Sequence, residues 1–532
     1  MISPVLVHEY LTLSAQKFPN KPAIIFKDKR ITFKELNEKS SKFAYSLKNL
    51  GINKQDRIII FIENSSDIVI SLLGILKVGA IFIILNEGIK SEKLNYILKD
   101  SSSKIIITSS NKINIVNQAL DGIIELPKII LIGETSEVSG KIQSKIIVWE
   151  EAINNFGEKI NDYNEPVNNN VIDYDLAALI YTSGTTGEPK GVMATHFNML
   201  AVSRSIIQYL ENCSEDIILN VLPLSFGYGL YQVITSIICG GTVIIQSSFM
   251  FPIQIFQLIE KEKVTGFPIV PTIYALLFDA IKNINNFNLS SLRYLTNAGA
   301  ALSTDRILKL KEMLPTTKIY SMYGLTECQR VSYLHPSDIE KKPASVGKAI
   351  PNCETFIINE KGEPAAVGEV GELVIRGSNV MRGYWNAPEL TKKTFREGKI
   401  PGEKLLYSGD LFKKDSDDFL YFVSRKDDII KTKGEKVSPK EVEHIICEMN
   451  NLMDAAVISV PDKILGNAIK AYVVKKKIDD FDISENDVLK FCSERLEPFM
   501  VPKYIEFIDE LPKGLNGKID KKILKDLNKI IP

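Results

Sequence analysis

The sequence is poor in cysteine and histidine, and its charges balance. Its 532 residues include six Cys and four His, and 65 Lys and Arg are matched by 65 Asp and Glu, so the formal net charge is zero. No two cysteines form a C-x-x-C pair, and therefore neither a zinc site nor a redox pair is predicted. Sparse cysteine excludes a disulfide scaffold and favours a reducing cytoplasm. The balanced charge argues against a nucleic-acid-binding protein, which usually carries a basic excess.

The sequence also has few long apolar runs. One run, residues 68–85, is about long enough to cross a bilayer. Lys77 and two glycines interrupt it, which favours a buried helix over about 66–78 followed by a buried strand over 81–85. The N-terminus lacks a basic start followed by an apolar core, so no secretory signal is predicted. We therefore expect a cytoplasmic protein without a membrane span.

What is present is an alternation of apolar strands and helices. Apolar residues make up 45% of the chain and charged residues 24%, as in globular rather than disordered or fibrous proteins. The alternation predicts parallel sheets covered by helices. It pauses at the polar stretch 134–170, which we interpret as a surface loop or linker, and resumes over 176–320. Short strands among many Gly and Pro over 345–424 predict a smaller β-rich subdomain.

Two capping boxes mark predicted helix starts, because each pairs a hydroxyl side chain with a carboxylate three residues later. The first is Thr32-x-x-Glu35, and the second is Ser438–Glu441, with Pro at the first helical position. The second opens a last unit of about 100 residues, with predicted strands over 455–460 and 468–474, which we interpret as a compact α+β domain. At roughly 150 residues per domain, the length suggests three or four domain-sized units.

The strongest chemical signal is Leu176–Gly191, in which an apolar strand runs into small hydroxyl-bearing residues and glycines. Small residues let the backbone approach an anion, and consecutive amides and hydroxyls donate to phosphate oxygens. Lys190 adds a positive charge. The spacing of a Walker A loop is absent, and a flexible surface loop is the alternative on composition alone. The predicted phosphate loop consists of Thr182, Ser183, Gly184, Thr185, Thr186 and Gly187.

Four further segments carry polar groups suited to a nucleotide. Tyr323 offers a flat face for a purine, and Glu327 offers an oxygen ligand for Mg²⁺. Asp410 has the chemistry to accept two ribose hydroxyls, and Lys518 lies between glycine and isoleucine near the C-terminus. Each signal alone is weak, because basic segments are usually solvated. The four segments are Tyr320–Glu327, Leu406–Leu411, Ser424–Glu443 and Leu511–Lys521.

In this order, the five segments resemble the adenylate-forming superfamily of acyl- and aryl-CoA synthetases, adenylation domains of nonribosomal peptide synthetases, and firefly luciferase. The resemblance extends from about residue 8 to 525. It implies a large N-terminal domain, 1–426, of parallel-sheet α/β subdomains plus a β-rich subdomain, and a small mobile α+β C-terminal domain, 427–532. It also implies two half-reactions. A carboxylic acid and Mg·ATP give an acyl-adenylate and pyrophosphate, and a thiol of CoA or of a carrier-protein phosphopantetheine then takes the acyl group.

The resemblance assigns roles residue by residue. Lys518 would contact the substrate carboxylate and the α-phosphate, Thr326 a phosphate, and Glu327 the Mg²⁺ ion. Asp410 and Arg425 would bind the ribose. Further residues that would line the nucleotide are Lys190, Gly299, Ala300, Ala301, Ser321, Met322, Tyr323 and Gly324. For the second half-reaction, Asp427 would be the hinge, and Lys431, Lys433 and Gly434 would meet AMP and the thiol arm.

The implied acyl pocket consists of Phe226, Gly227, Tyr228, Asn297 and Ala298. Two positions depart from the superfamily pattern, because Ser424 replaces a frequent glycine and Gly227 stands where amino-acid-activating relatives place Asp. A buried ammonium without a partner is costly, so we expect a neutral fatty, aryl or hydroxy acid. Transfer to CoA is the leading hypothesis, transfer to a carrier protein is second, and a luciferase-like monooxygenase is a remote alternative. The intact Glu327 and Lys518 argue against an inactive binding protein.

Overall fold

The computed structural model describes residues 4–135, 145–154, 167, 170–182, 189–247, 251–279, 286–299, 304–432, 435–449, 451–462, 466–476, 483–514 and 518–530. The strands are β1 (Pro22–Phe26), β2 (Lys29–Thr32), β3 (Arg57–Phe61), β4 (Ile81–Ile84), β5 (Ile105–Ser109), β6 (Lys128–Ile132), β7 (Ile146–Val148), β8 (Leu176–Thr182), β9 (Lys190–Thr195), β10 (Ile217–Asn220), β11 (Thr242–Ile245), β12 (Gly266–Ile269), β13 (Tyr294–Asn297), β14 (Lys318–Tyr323), β15 (Ser332–Leu334), β16 (Lys348–Ala349), β17 (Cys353–Ile358), β18 (Gly371–Gly377), β19 (Phe395–Glu397), β20 (Lys404–Lys414), β21 (Leu420–Arg425), β22 (Ile430–Thr432), β23 (Glu435–Val437), β24 (Leu452–Asp462), β25 (Gly466–Lys475) and β26 (Tyr504–Phe507). The helices are α1 (Glu9–Lys17), α2 (Phe33–Asn49), α3 (Ser66–Val78), α4 (Ser91–Ser101), α5 (Ile113–Ala119), α6 (Trp149–Asn154), α7 (His196–Leu210), α8 (Gly227–Cys239), α9 (Pro252–Glu262), α10 (Pro271–Asp279), α11 (Thr304–Met313), α12 (Pro388–Thr394), α13 (Pro439–Cys447), α14 (Glu485–Ser493) and α15 (Lys521–Ile530).

Two large sheets form most of the N-terminal part. One has the strand order β16-β15-β14-β13-β12-β10-β11-β1-β2, and the other has the order β7-β6-β5-β3-β4-β8-β9. Their central neighbours, such as β12, β13 and β14, run parallel. Consecutive isoleucines on β3, Ile58 to Ile60, are fully buried, as expected for a strand covered on both faces. The predicted helix-covered parallel sheets are confirmed.

The apolar run over 68–85 folds as predicted, into α3 and β4. Gly79 joins them with φ +83°, a left-handed conformation that costs glycine little. Every residue from Ile68 to Ile84 is buried against its neighbours. Across the described part of the chain, every helix is too short or too polar to span a membrane.

The capping box at Thr32 is confirmed. The Thr32 hydroxyl accepts the amide of Glu35 at 3.2 Å, and the Glu35 carboxylate accepts the amide of Thr32 at 2.8 Å.

The capping box predicted at Ser438 is wrong. The Ser438 hydroxyl makes no cap bond to α13 and instead donates to the backbone oxygen of Val423 at 2.8 Å. The hydroxyl therefore ties the start of α13 to strand β21, and Pro439, which has no N–H, opens the helix without needing a cap for that position.

The interpretation of 134–170 as a loop or linker is wrong in part. Residues Ile146–Val148 form β7, which pairs in parallel with β6 at the edge of the seven-stranded sheet. The next helix, α6, buries Trp149, whose ring centroid lies 5.1 Å from that of Phe43. Three apolar residues in a polar stretch were too few to indicate a strand, and the sheet edge supplied the missing partner. Residues 136–144, 155–166, 168 and 169 lie outside the described part.

Two smaller units follow. Strands β17 to β21 form the predicted β-rich subdomain, a five-stranded antiparallel sheet. The last unit combines α13, α14 and α15 with the sheet β24-β25-β26. Its core includes Val442, Ile446, Val457 and Ile469, which confirms the predicted α+β unit.

Candidate active site

A buried carboxylate lies where the β-rich subdomain meets the nine-stranded sheet. Asp410 on β20 pairs in register with Arg425 on β21, and the Arg425 Nε lies 3.5 Å from Asp410 Oδ1. The Tyr323 hydroxyl, at the end of β14, donates to Asp410 Oδ2 at 2.5 Å. Asp410 Oδ1 is buried and has no hydrogen-bond partner. Burial raises the pKa of Asp410, while Arg425 and Tyr323 oppose the rise.

This arrangement is chemically complementary to a pair of hydroxyls. A buried carboxylate oxygen without a donor is costly, and a ribose hydroxyl supplies the missing donor. The Tyr323 ring is itself held by Phe412, at 4.8 Å between ring centroids. The predicted ribose residues Asp410 and Arg425 and the predicted adenine residue Tyr323 therefore lie together.

Glu327 follows β14, and the hydroxyl of Tyr384 binds it, donating to Glu327 Oε1 at 2.7 Å. The amide of Met381 donates to the Glu327 backbone oxygen at 3.0 Å. The Lys190 ammonium lies 5.9 Å from the ring centroid of Tyr384. Tyr384 thus links the predicted magnesium ligand to the predicted phosphate-loop lysine. Glu327 is a single carboxylate, and it suits Mg²⁺, which takes few protein ligands and completes its shell with phosphate and water oxygens.

Strand β9, which follows the phosphate loop, is held by backbone hydrogen bonds to residues on either side of Tyr384. The Arg382 amide donates to Met193 at 3.0 Å, the Met193 amide to Gly383 at 2.9 Å, and the Trp385 amide to Gly191 at 2.8 Å. Thr182 and Lys190 pair across β8 and β9, so the two ends of the loop are adjacent. The loop residues Ser183, Gly184, Thr185, Thr186 and Gly187 lie outside the described residues.

The predicted acyl-pocket residues converge from two elements. Phe226 and Gly227 begin α8, and the Tyr228 hydroxyl donates to the Thr296 backbone oxygen at 2.8 Å. Asn297 ends β13 beside Ser321 on β14, at the carboxyl ends of parallel strands, where open α/β sheets bind ligands. The buried residues there are Ala298, Asn297, Ser321 and Met322. Gly299 has φ +88°, and Ala300 and Ala301 lie outside the described residues.

Gln329 fills the space that a side chain at position 227 would need. A Cβ added to Gly227 would lie 1.6 Å from Gln329 Oε1, and a Cβ added to Gly324 would lie 2.1 Å from the Gln329 backbone oxygen. Gly324 is therefore required by the close approach of the Gln329 backbone, whereas a side chain at position 227 would require the Gln329 side chain to move.

Lys518 comes from the last unit and faces charges of the large domain. Its side chain keeps contact with solvent, yet the surrounding protein removes enough water to lower its pKa. Asp410 and Glu327 raise that pKa, whereas Arg425 and Lys440 lower it further. The predicted lysine, metal ligand and ribose carboxylate are thus electrostatically coupled across the two domains.

The structure describes only some of the residues predicted for the second half-reaction. Asp427 is exposed in the turn after β21. Lys431 lies on β22, but its side chain, like Lys433 and Gly434, is outside the described residues.

Family models match most of the chain. Residues 11–385 match the AMP-binding enzyme family, and residues 441–518 match the AMP-binding enzyme C-terminal domain. The chain belongs to the AMP-binding enzyme family. This confirms the resemblance inferred from the five sequence segments.

Individual relatives of this AMP-binding enzyme extend over nearly its whole length. The long-chain-fatty-acid–CoA ligase of Bacillus subtilis strain 168 is 34% identical over 531 residues, covering 96% of this chain and 92% of that protein. Tyrocidine synthase 3 of Brevibacillus parabrevis is 27% identical over 522 residues, covering 97% of this chain and 8% of that much longer protein. The solved o-succinylbenzoate coenzyme A synthetase of Bacillus subtilis, in complex with ATP and a magnesium ion, has a TM-score of 0.81 at 26% identity, with 98% of this chain and 99% of that chain covered.

These findings establish the reaction class. This AMP-binding enzyme is an AMP-forming acid–thiol ligase of the acyl-CoA synthetase type. The solved relatives include complexes of the o-succinylbenzoate coenzyme A synthetase with AMP and with ATP and a magnesium ion. The predicted fold class, with a large N-terminal α/β domain and a small C-terminal domain, is confirmed as well.

Sequence reasoning missed two residues of this AMP-binding enzyme, one beside the predicted magnesium ligand and one in the unit that carries Lys518. Tyr384 lies 57 residues from Glu327, and no local pattern connects them. Glu443 is 4% exposed and binds Lys440 at 2.8 Å and Lys521 at 2.7 Å, so it anchors the helix that follows Lys518. Glu443 could have been identified from the sequence, because it lies among the apolar residues of the buried face of α13.

Proposed function

We propose that adenylation takes place in the cleft between Asp410, Glu327 and Lys518, with the roles that the superfamily resemblance implies. Asp410 and Arg425 bind the ribose, and Tyr323 lines the adenine. The observation that carries the proposal is the buried Asp410 Oδ1 without a donor, beside a cation delivered by the other domain.

The chemistry requires positive charge, because a carboxylate attacking the α-phosphate brings two anions together. Lys518 supplies a cation at the reacting groups, and Lys190 with Thr182 lies at the ends of the phosphate loop. Glu327 and Thr326 would hold Mg²⁺ and phosphate, and the bound ion would offset phosphate charge. Tyr384 orients the Glu327 carboxylate through its hydrogen bond.

For thioester formation, we propose that residues 427–532 form a unit that rotates about Asp427 relative to residues 1–426. Lys518 then leaves the site, and Lys431, Lys433 and Gly434 approach it. Glycine at position 434 suits a narrow path for the thiol arm.

Free CoA is the proposed acceptor, because the relatives of similar length are CoA ligases. Transfer to a carrier-protein phosphopantetheine is the second candidate, since the chain also aligns with part of tyrocidine synthase 3. The acid lacks an α-amino group, because position 227 has no carboxylate to pair with one. We further propose a cytoplasmic location, since all six cysteines are free thiols.

Pyrophosphate release across a panel of acids, with and without CoA, tests the proposal. We expect Mg²⁺-dependent release with at least one acid, faster turnover with CoA, and loss of release in Glu327→Gln. Turnover that never responds to CoA would favour a carrier protein. Full activity of Glu327→Gln would contradict the proposed metal ligand.

A further inference from the structure

A buried arginine beside the acyl pocket has no acidic partner in the described part of the chain. Arg330 is 4% exposed and lies in the buried segment that follows Glu327. Its Nη1 donates to the Gln329 backbone oxygen at 3.1 Å, and its Nε has no hydrogen-bond partner. No carboxylate among the described residues forms an ion pair with it. A buried charge is normally paired, so this guanidinium lacks the counter-ion that burial requires.

In the described part of the chain, the Arg330 guanidinium contacts the ring of Tyr228 and hydrogen-bonds the hydroxyl of Tyr209. Its guanidinium carbon lies 4.6 Å from the ring centroid of Tyr228, a contact that offsets only part of the lost hydration. Burial raises the pKa of Tyr209 and of Tyr231, and the Arg330 charge opposes both rises. The buried Tyr231 hydroxyl also has no hydrogen-bond partner. The Arg330 Nε and the Tyr231 hydroxyl are thus both buried donors without an acceptor.

The position of Arg330 connects it with the substrate. Tyr228, on which the guanidinium stacks, follows Gly227 at the start of α8, and its hydroxyl binds Thr296 beside Asn297. Consecutive Cα atoms are 3.8 Å apart, so the Cα atoms of Glu327 and Arg330 are at most about 11 Å apart. The backbone that carries Arg330 therefore lies within about 11 Å of the backbone of the proposed metal ligand.

We propose that Arg330 is the counter-ion for a second carboxylate of the substrate, which is therefore a short aliphatic or aryl dicarboxylic acid. The inference rests on the proposed function and narrows its substrate class. It replaces the neutral acid expected from the sequence, because an apolar tail in this pocket would meet an unpaired guanidinium. A second carboxylate instead accepts from Arg330 and lies within reach of the Tyr231 hydroxyl.

Matched pairs of acids test the proposal through kcat/KM for pyrophosphate release. The pairs are succinate and butyrate, adipate and hexanoate, and phthalate and benzoate. We expect the wild-type enzyme to prefer the diacid at least about 100-fold in one or more pairs. Arg330→Met should remove that preference by lowering diacid activity, with monoacid activity equal or higher, and Arg330→Lys should retain part of it.

Arg396→Met is the matched control, because Arg396 is exposed and also stacks on a tyrosine, Tyr407, at 3.7 Å. It should leave the preference unchanged. Preference for the monoacid in every pair, or an equal loss on both acids of a pair in Arg330→Met and Arg330→Lys, would overturn the inference while the proposed function stands. Absence of release with every acid would overturn both. If Arg330→Met does not fold, the wild-type preference and the Arg330→Lys variant still decide.

Discussion

Lys77 and Lys518 both have a lowered pKa, yet they lie in opposite surroundings. Lys77, on α3 inside the large domain, donates to the Asn37 side chain at 2.7 Å and to the Ser41 hydroxyl at 2.8 Å. Burial lowers its pKa to about 7. Lys518, on the small domain, faces Asp410 and Glu327 together with Arg425. Both pKa values are lowered, but neutral oxygens on α2 bind Lys77, whereas charges of both signs surround Lys518 at the proposed adenylation site.

The largest expected effect is the loss of adenylation when Lys518 is replaced. Lys518→Ala should lower adenylation by about 100- to 1,000-fold, because it removes a cation at developing negative charge. Thioester formation from supplied acyl-adenylate should persist, since Lys518 has left the site by then. Measuring both half-reactions, with Lys522→Ala as the exposed control, checks this. Equal loss of both half-reactions would contradict the role of Lys518.

The next effect concerns what holds the Lys518 segment. Glu443→Gln should lower the free energy of unfolding by about 3 kcal/mol, because it removes the buried counter-charge of Lys440 and Lys521. Adenylation should fall less than in Lys518→Ala. Thermal and denaturant unfolding measure the effect, and the exposed Glu441→Gln is the control. Unchanged stability in Glu443→Gln would show that the cluster does not support the segment.

The pH dependence of adenylation sharpens the comparison. Lys518 acts protonated, so kcat/KM for ATP, which reports the free enzyme, should fall as pH rises through its pKa. That limb should lie below pH 10.5, the ordinary lysine value, and fall tenfold per pH unit. Lys518→Arg should remove the limb, because guanidinium stays charged. A limb that survives in Lys518→Arg belongs to another group.

The last prediction concerns the pH dependence of stability at Lys77. Its folded pKa of about 7 lies below the unfolded value, so folding favours the neutral amine. Lys77 therefore opposes folding fully below pH 7, and this cost declines as pH rises towards 10.5. Because the native and unfolded states differ by at most one proton at Lys77, the free energy of unfolding should rise by at most about 1.4 kcal/mol per pH unit over this range. Lys77→Met should remove that slope from unfolding measurements, whereas the exposed Lys34→Met should not. An unchanged slope would contradict a lowered pKa.

Much of the fold followed from local patterns. The apolar runs predicted β3, α3 and β4, and Thr32-x-x-Glu35 predicted the start of α2, because these features depend on neighbours within a few residues. The Ser438 cap failed since a tertiary acceptor, the Val423 oxygen, competed for the hydroxyl. Strand β7 was missed because its stability comes from pairing with β6.

For the proposed active site, too, part was predictable from the sequence and part depended on the tertiary structure. The sequence alone determined which residue types are present, including the phosphate loop, Asp410 and Lys518, and their order along the chain indicated the family. Only the tertiary structure placed Tyr384 on Glu327 and left Arg330 buried without a carboxylate. Side-chain pairing and desolvation depend on groups far apart in the chain, and only folding brings those groups together.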